Sequence, residues 1–270
     1  MNALRQLCGC GTETTTRLNS IQAILGSELE RYGSEVASML APEADLKYIS
    51  LYGCFAARKM LEAGCFALLS RIDPTRLLIL REFQIRGRYE LDDRHSASLD
   101  WQNDVVSEKK AGWNDPLPAD KFMRSLLGGH MAEVTWLAAV DALVNKPYAE
   151  LAFERSKWIS EIIGQYESRR VDPGKEQVPL HAELGVLAGF RTLARQTFST
   201  LSKGVHLEFV VDQQTLFDAP TILQTMKSAT KVLTQMAFVS HFIDCAFSQL
   251  PLADSIEFAI AIEKEIEGDA

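Results

Sequence analysis

Apolar residues recur along this chain at steps of three and four, the spacing of one face of a helix rather than the alternation of a strand. Between Glu13 and Leu40, the residues Leu18, Ile21, Leu25, Leu29, Tyr32 and Val36 fall on one face and predict a long helix. Ala44 to Arg71 predicts a second, carrying Leu46, Ile49, Cys54, Ala57, Leu61, Cys65 and Leu68. It is apolar over much of its circumference, which predicts a central helix. Asp73-Pro74 is a helix start, with Asp as N-cap and Pro in the first turn, and the pattern runs on to about Tyr89.

The period is lost from Glu90 to Ala119. That stretch holds Asp92-Asp93-Arg94-His95, Trp101, Asp104 and Trp113, and it reads as a long ordered loop. Helices are predicted again at Lys121–Leu127, at Met131–Val144 and from Pro147 to about Tyr166. Another runs from His181 to about Lys203, with Gly204 as its left-handed cap and a short extended piece at His206–Val211. Thr221–Leu250 and Ser255–Glu267 complete the set. The expectation is an all-α fold of at least seven helices in packed layers or bundles. The Pro- and charge-rich connector Glu167–Pro179 divides residues 1–166, an N-terminal helical domain, from a C-terminal helical region at 180–270.

One helix is chemically distinctive. Arg191, Arg195, Ser199, Ser202 and His206 follow one another at steps of 4, 4, 3 and 4, so two guanidiniums, two hydroxyls and an imidazole share one stripe. Phe190, Leu193, Ala194, Thr197, Phe198, Leu201 and Val205 make the neighbouring apolar stripe. Such a row can hold an anion, do acid–base chemistry, or simply be the polar face of a helix. His206 beside Gly204 equally suits a residue that bonds to backbone carbonyls or to the core.

Composition changes this picture little. The chain is 47% hydrophobic and 24% charged, as folded proteins are, and its net charge is −8. Six acids against one Lys lie between Asp254 and Ala270. A chain of this sign does not draw nucleic acid non-specifically as a whole, which leaves local clusters such as Arg191/Arg195. No apolar run approaches the roughly 18–20 residues that span a bilayer, so no membrane partner is expected. The five cysteines, Cys8, Cys10, Cys54, Cys65 and Cys245, have no framework spacing and suit a reducing cytoplasm. Cys8-Gly-Cys10-Gly is half of a metal-ligand pattern with no second half, and His241/Cys245 at i, i+4 also lacks completing ligands, so core packing is the better reading of both. Phosphate-loop, nucleophile-elbow and His-Glu-x-x-His signatures are missing, and no metal or cofactor is expected.

The phrase LSKGVH, preceded by FSTLS and an Arg, resembles a pattern of the HEPN superfamily of small helical-bundle proteins. The resemblance covers roughly residues 181–250. It implies a protein of a prokaryotic toxin, CRISPR or phage-defence system, in which Arg and His of paired subunits form a metal-independent ribonuclease site. His206 takes the histidine position. Ser202 stands four residues earlier, where an Arg belongs, and Arg195 is eleven residues upstream, about 16 Å along a helix axis. Joint grip on one phosphate then needs a bend at Gly204 or an Arg from a second subunit. On this reading His206 is acid or base, Arg195 or Arg191 meets the phosphate, Ser202 orients the imidazole, and Lys203 adds to RNA binding. The alternative is a non-catalytic helical accessory protein that binds a partner protein or nucleic acid through the same stripe. The terminal segment, with Ile256, Ala259, Ile260 and Ile266 opposite a row of acids, predicts either packing on its own bundle or a partner: a second copy, or a protein from the same operon.

Overall fold

A computed structural model of the chain describes residues 1–86, 130–146, 149–170, 182–205 and 218–268. Every regular element among them is a helix: α1 (Asn2–Leu7), α2 (Arg17–Leu40), α3 (Leu46–Ile72), α4 (Pro74–Arg86), α5 (His130–Val144), α6 (Ala149–Arg155), α7 (Lys157–Arg170), α8 (Ala182–Val205), α9 (Ala219–Ser240) and α10 (Leu252–Glu267). The protein is an all-α multi-helix bundle. The expected loop at 90–119, the helix at 121–127, the extended piece at 206–211 and most of the 167–179 connector lie outside the described residues.

The starts are set by local chemistry. Thr16 caps α2 by accepting from the Asn19 amide, Asp45 caps α3 through Lys47, and Asp218 caps α9 through Thr221, with Pro220 in its first turn. Each side chain satisfies an amide that the first helical turn leaves without a partner.

Helix α3 is the centre of the core, as its pattern predicts. Every residue from Met60 to Arg71 is buried. Helix α2 runs antiparallel to it: Gln22 donates to Ser70 at one end, and the Tyr32 ring meets Phe55 edge-on nearer the other. Helix α9 runs parallel to it, with Ile222 beside Gly53, Leu233 beside Gly64, and Ser240 bonded to Arg71. These two glycines allow the close approach. A Cβ at Gly53 would stand 2.7 Å from Ile222 Cγ2, and one at Gly64 would run into Leu233. Helix α8 packs on α3, α7 and α9, and Trp136 of α5 meets Phe190 of α8 edge-on. One core cluster joins residues from both sides of the 167–179 connector.

Three expectations are corrected and one helix is added. Helix α1 was not foreseen, because six residues are too few to show a period; it exists because Leu4 and Leu7 are fully buried against α2 and α10. The helix expected from Pro147 to Tyr166 is broken at Ser156. The Ser156 hydroxyl donates to Glu263 of α10 and accepts from the Ile159 amide, so this serine caps a new helix, α7. The helix expected to reach Leu250 ends at Ser240, because His241 and the following turn bond instead to α1 and α3. Gly204 does not end α8, which continues to Val205; the positive-φ glycines among the described residues are Gly9 and Gly268.

Candidate functional site

Helix α8 separates its two faces as the sequence spacing predicts. Phe190, Ala194, Thr197, Phe198 and Leu201 are buried, and Val205 is exposed at the end of the apolar row. On the polar side Arg195, Ser199 and Lys203 are exposed, while Arg191 and Ser202 are half-buried. From Thr192 to Val205 the helix carries no acid. Beside the row lies a shallow, open depression of about 390 Å³, lined among the described residues by Thr192, Arg195, Gln196, Ser199, Thr200 and Lys203. All six belong to one helix, α8. Arg195 and Lys203 are eight residues apart, about 12 Å along the axis. The row places two cations and several hydroxyl and amide donors on an open surface, an arrangement suited to successive oxygens of an extended anion.

Of the residues singled out from sequence, Arg195 and Lys203 thus stand exposed beside the depression on α8, while Arg191 and Ser202 are half-buried on the flank of the same helix that also carries Phe198. His206 lies outside the described residues, next to the last residue of that helix. The Ser202 hydroxyl oxygen is buried and has no hydrogen-bond partner among the described residues. Buried hydroxyls are normally satisfied, so this one is an exception among the described residues.

Asp92, Asp93, Arg94, His95, Trp101 and Asp104 lie outside the described residues; of the other candidates, Cys8, Cys10 and His241 resolve into packing and Cys245 does not. His241 is largely buried, whereas Cys245 is exposed on the following turn, so the two do not form a ligand pair. Among the described residues no group of three or more His, Cys, Asp or Glu side chains is placed to hold a metal ion. All five cysteines are free, and Cys8, Cys10, Cys54 and Cys65 are buried. Burial pushes the Cys8 and Cys65 thiols well up, Cys54 to about 11 and Cys10 to about 12, so all four stay protonated and act as small hydrophobes. No helix among the described residues is long and apolar enough to cross a membrane.

His241 belongs to a buried polar knot that the sequence did not announce. Its centre is Arg71, whose side chain has no exposed surface. Arg71 Nε donates to the Phe247 carbonyl at 2.9 Å, Nη1 donates to the Ser240 hydroxyl, and Nη2 lies 3.0 Å from His241 Nδ1. The Leu250 amide also donates to that Nδ1, at 3.0 Å, so Nδ1 is the bare nitrogen. Nε2 therefore carries the proton and donates to the Leu7 carbonyl at 2.8 Å. Burial first, and then the Arg71 charge, hold His241 down to about 3; burial also lowers Arg71 to about 10, so it stays charged at neutral pH. The one signal in the sequence was an Arg closing the apolar second half of α3. It does not separate a snorkelling side chain from a buried one.

Compared with family models, with curated proteins and with solved structures, the chain matches none.

Proposed function

We propose that this protein is a helical accessory factor that binds the sugar–phosphate backbone of RNA through the outer face of α8. The observation that carries the reading is the acid-free strip with exposed Arg195 and Lys203 in a chain of net charge −8. A local basic strip on an acidic molecule gives an anion a place to land. Its openness suits a polymer, which needs no enclosing pocket. Placement in a prokaryotic toxin or phage-defence module rests on the HEPN resemblance around LSKGVH alone. Association with a second copy or with an operon partner belongs to the same reading, and sedimentation with and without that partner measures it.

The test is fluorescence anisotropy with a labelled oligouridylate at low salt. The double variant Arg195→Ala, Lys203→Ala is expected to lose about tenfold or more in affinity, each contact being charge-assisted. A wild-type protein that leaves the oligonucleotide unbound would falsify the reading.

The second reading, RNA cleavage, is favoured by the unsatisfied Ser202 hydroxyl, four residues before His206. There Ser202 orients the imidazole, His206 transfers the proton of the 2′-hydroxyl, and Arg195 or Arg191 neutralises the phosphate. Attack of that oxygen on phosphorus expels the 5′-oxygen and leaves a cyclic phosphate. Cleavage in EDTA that His206→Ala reduces by about 10² to 10⁴, at unchanged melting temperature, would establish it. A His206→Ala protein that no longer folds makes this histidine structural.

A further inference from the structure

The polar strip of α8 has a neighbour on α3. Phe198 follows Arg195 by three residues and precedes Ser202 by four, so the three share one flank of the helix. The Arg58 guanidinium carbon lies 5.0 Å from the centre of the Phe198 ring. The same guanidinium gives its Nε proton to Glu62 at 3.1 Å. Glu62 is largely buried and also accepts from Lys59 at 3.0 Å, so the trio of Arg58, Lys59 and Glu62 keeps a net positive charge. An aromatic ring thus lies against one side of the Arg58 fork, and a carboxylate holds its Nε edge. Among the described residues neither terminal nitrogen makes a hydrogen bond, and the side chain keeps 22% of its surface open. A fork oriented on two sides with its outer edge free is arranged for bidentate contact with an oxyanion, at little further cost in side-chain freedom.

We propose that Arg58 is a phosphate-binding residue of the α8 interface, so that the RNA backbone is gripped across the α3–α8 boundary and not by α8 alone. This inference rests on the reading of α8 as an RNA-binding face. It predicts that the strand runs over the Arg191/Ser202 flank as well as over the open depression on the other side. It also gives Phe198 a purpose beyond packing: its ring holds the guanidinium in place.

The experiment titrates labelled oligouridylate at a series of salt concentrations, with melting temperatures recorded for every variant. Arg58→Gln keeps a donor for Glu62 and removes the charge; Arg58→Lys keeps the charge and removes the planar fork. We expect Arg58→Gln to weaken binding about tenfold and to lower the slope of log affinity against log salt by about 0.7, the value for one lost phosphate contact on a single strand. Arg58→Lys should keep the slope and lose a few-fold in affinity. A structural role alone would leave the salt slope unmoved. If Arg58→Gln binds as wild type while Arg195→Ala, Lys203→Ala is weakened, the Arg58 assignment is overturned and the α8 reading stands. If wild-type protein does not bind the oligonucleotide, both fall. Arg58→Lys decides the matter should the Gln variant not fold, and an unchanged affinity there overturns the bidentate contact.

Discussion

Arg71 and Glu263 are both buried, and neither touches a side chain of opposite charge among the described residues, yet the fold holds them by opposite means. Arg71 lies where three helices end: its own helix α3, α9 at Ser240, and α1 at Leu7, whose carbonyl His241 bonds. The negative ends of three helix dipoles favour a cation there. Glu263 lies where a helix begins. Its carboxylate accepts from the Ser156 hydroxyl and, at 3.2 Å, from the Trp158 amide in the first turn of α7. Gln235 of α9 completes the junction by donating to the Trp158 carbonyl at 2.7 Å. The comparison teaches that helix ends can stand in for counter-ions, provided the sign of the charge matches the polarity of the end. Both knots join parts of the chain that lie more than a hundred residues apart.

The comparison can be broken by removing each charge. Arg71→Met should cost most, about 3–5 kcal/mol in urea denaturation, because it leaves Ser240, the bare His241 nitrogen and the Phe247 carbonyl facing a hydrophobic side chain. A loss below about 1 kcal/mol would show that the three helix ends do not need the cation.

Acid attacks the same knot through His241. Its pKa in the folded protein, about 3, lies below the ordinary 6.5, so the unfolded chain binds a proton that the folded one refuses. The stability this contributes is complete above pH 6.5 and is lost as pH falls towards 3. The loss is about 1.4 kcal/mol per pH unit, or about 2–3 kcal/mol between pH 6 and pH 4. His241→Gln should flatten that part of the curve of stability against pH; an unchanged slope would assign the acid sensitivity to other groups.

The Glu263 knot should yield more gently to neutralisation. Glu263→Gln keeps an oxygen for the Trp158 amide and loses the charge at the start of α7, an expected cost of about 1–2 kcal/mol. Ser156→Ala removes the cap of α7 and one acceptor-bound hydroxyl, for about 1 kcal/mol. Equal costs for Glu263→Gln and Arg71→Met would erase the distinction drawn between the two ends.

Much of the fold was legible before the structure. The buried face of α2, the all-round burial of the second half of α3, the Asp73-Pro74 boundary and the two faces of α8 all follow from local sequence, whereas Leu46, on the apolar pattern of α3, is exposed at its start. The alignment of Arg191, Arg195, Ser199 and Ser202 was likewise legible from local spacing. The breaks were not. Ser156 and His241 stop helices because Glu263 and Arg71 reach them from far along the chain, and no local window contains both partners. The isoleucine face of α10 could be read as a surface for a partner, but it is covered by α1 and α9 of the same chain.

Sequence by itself therefore determined the class of the protein, the faces of its helices and the row of cations on α8. These depend on the 3.6-residue period and on the side chains within a turn or two. Only the tertiary structure decided that Arg58 stands over Phe198, that Arg71 and Glu263 are buried, and that α9 stops ten residues early. Each depends on contacts between helices whose order in space the period does not encode. Each also depends on the rule that a buried polar group must find a partner wherever the fold can supply one.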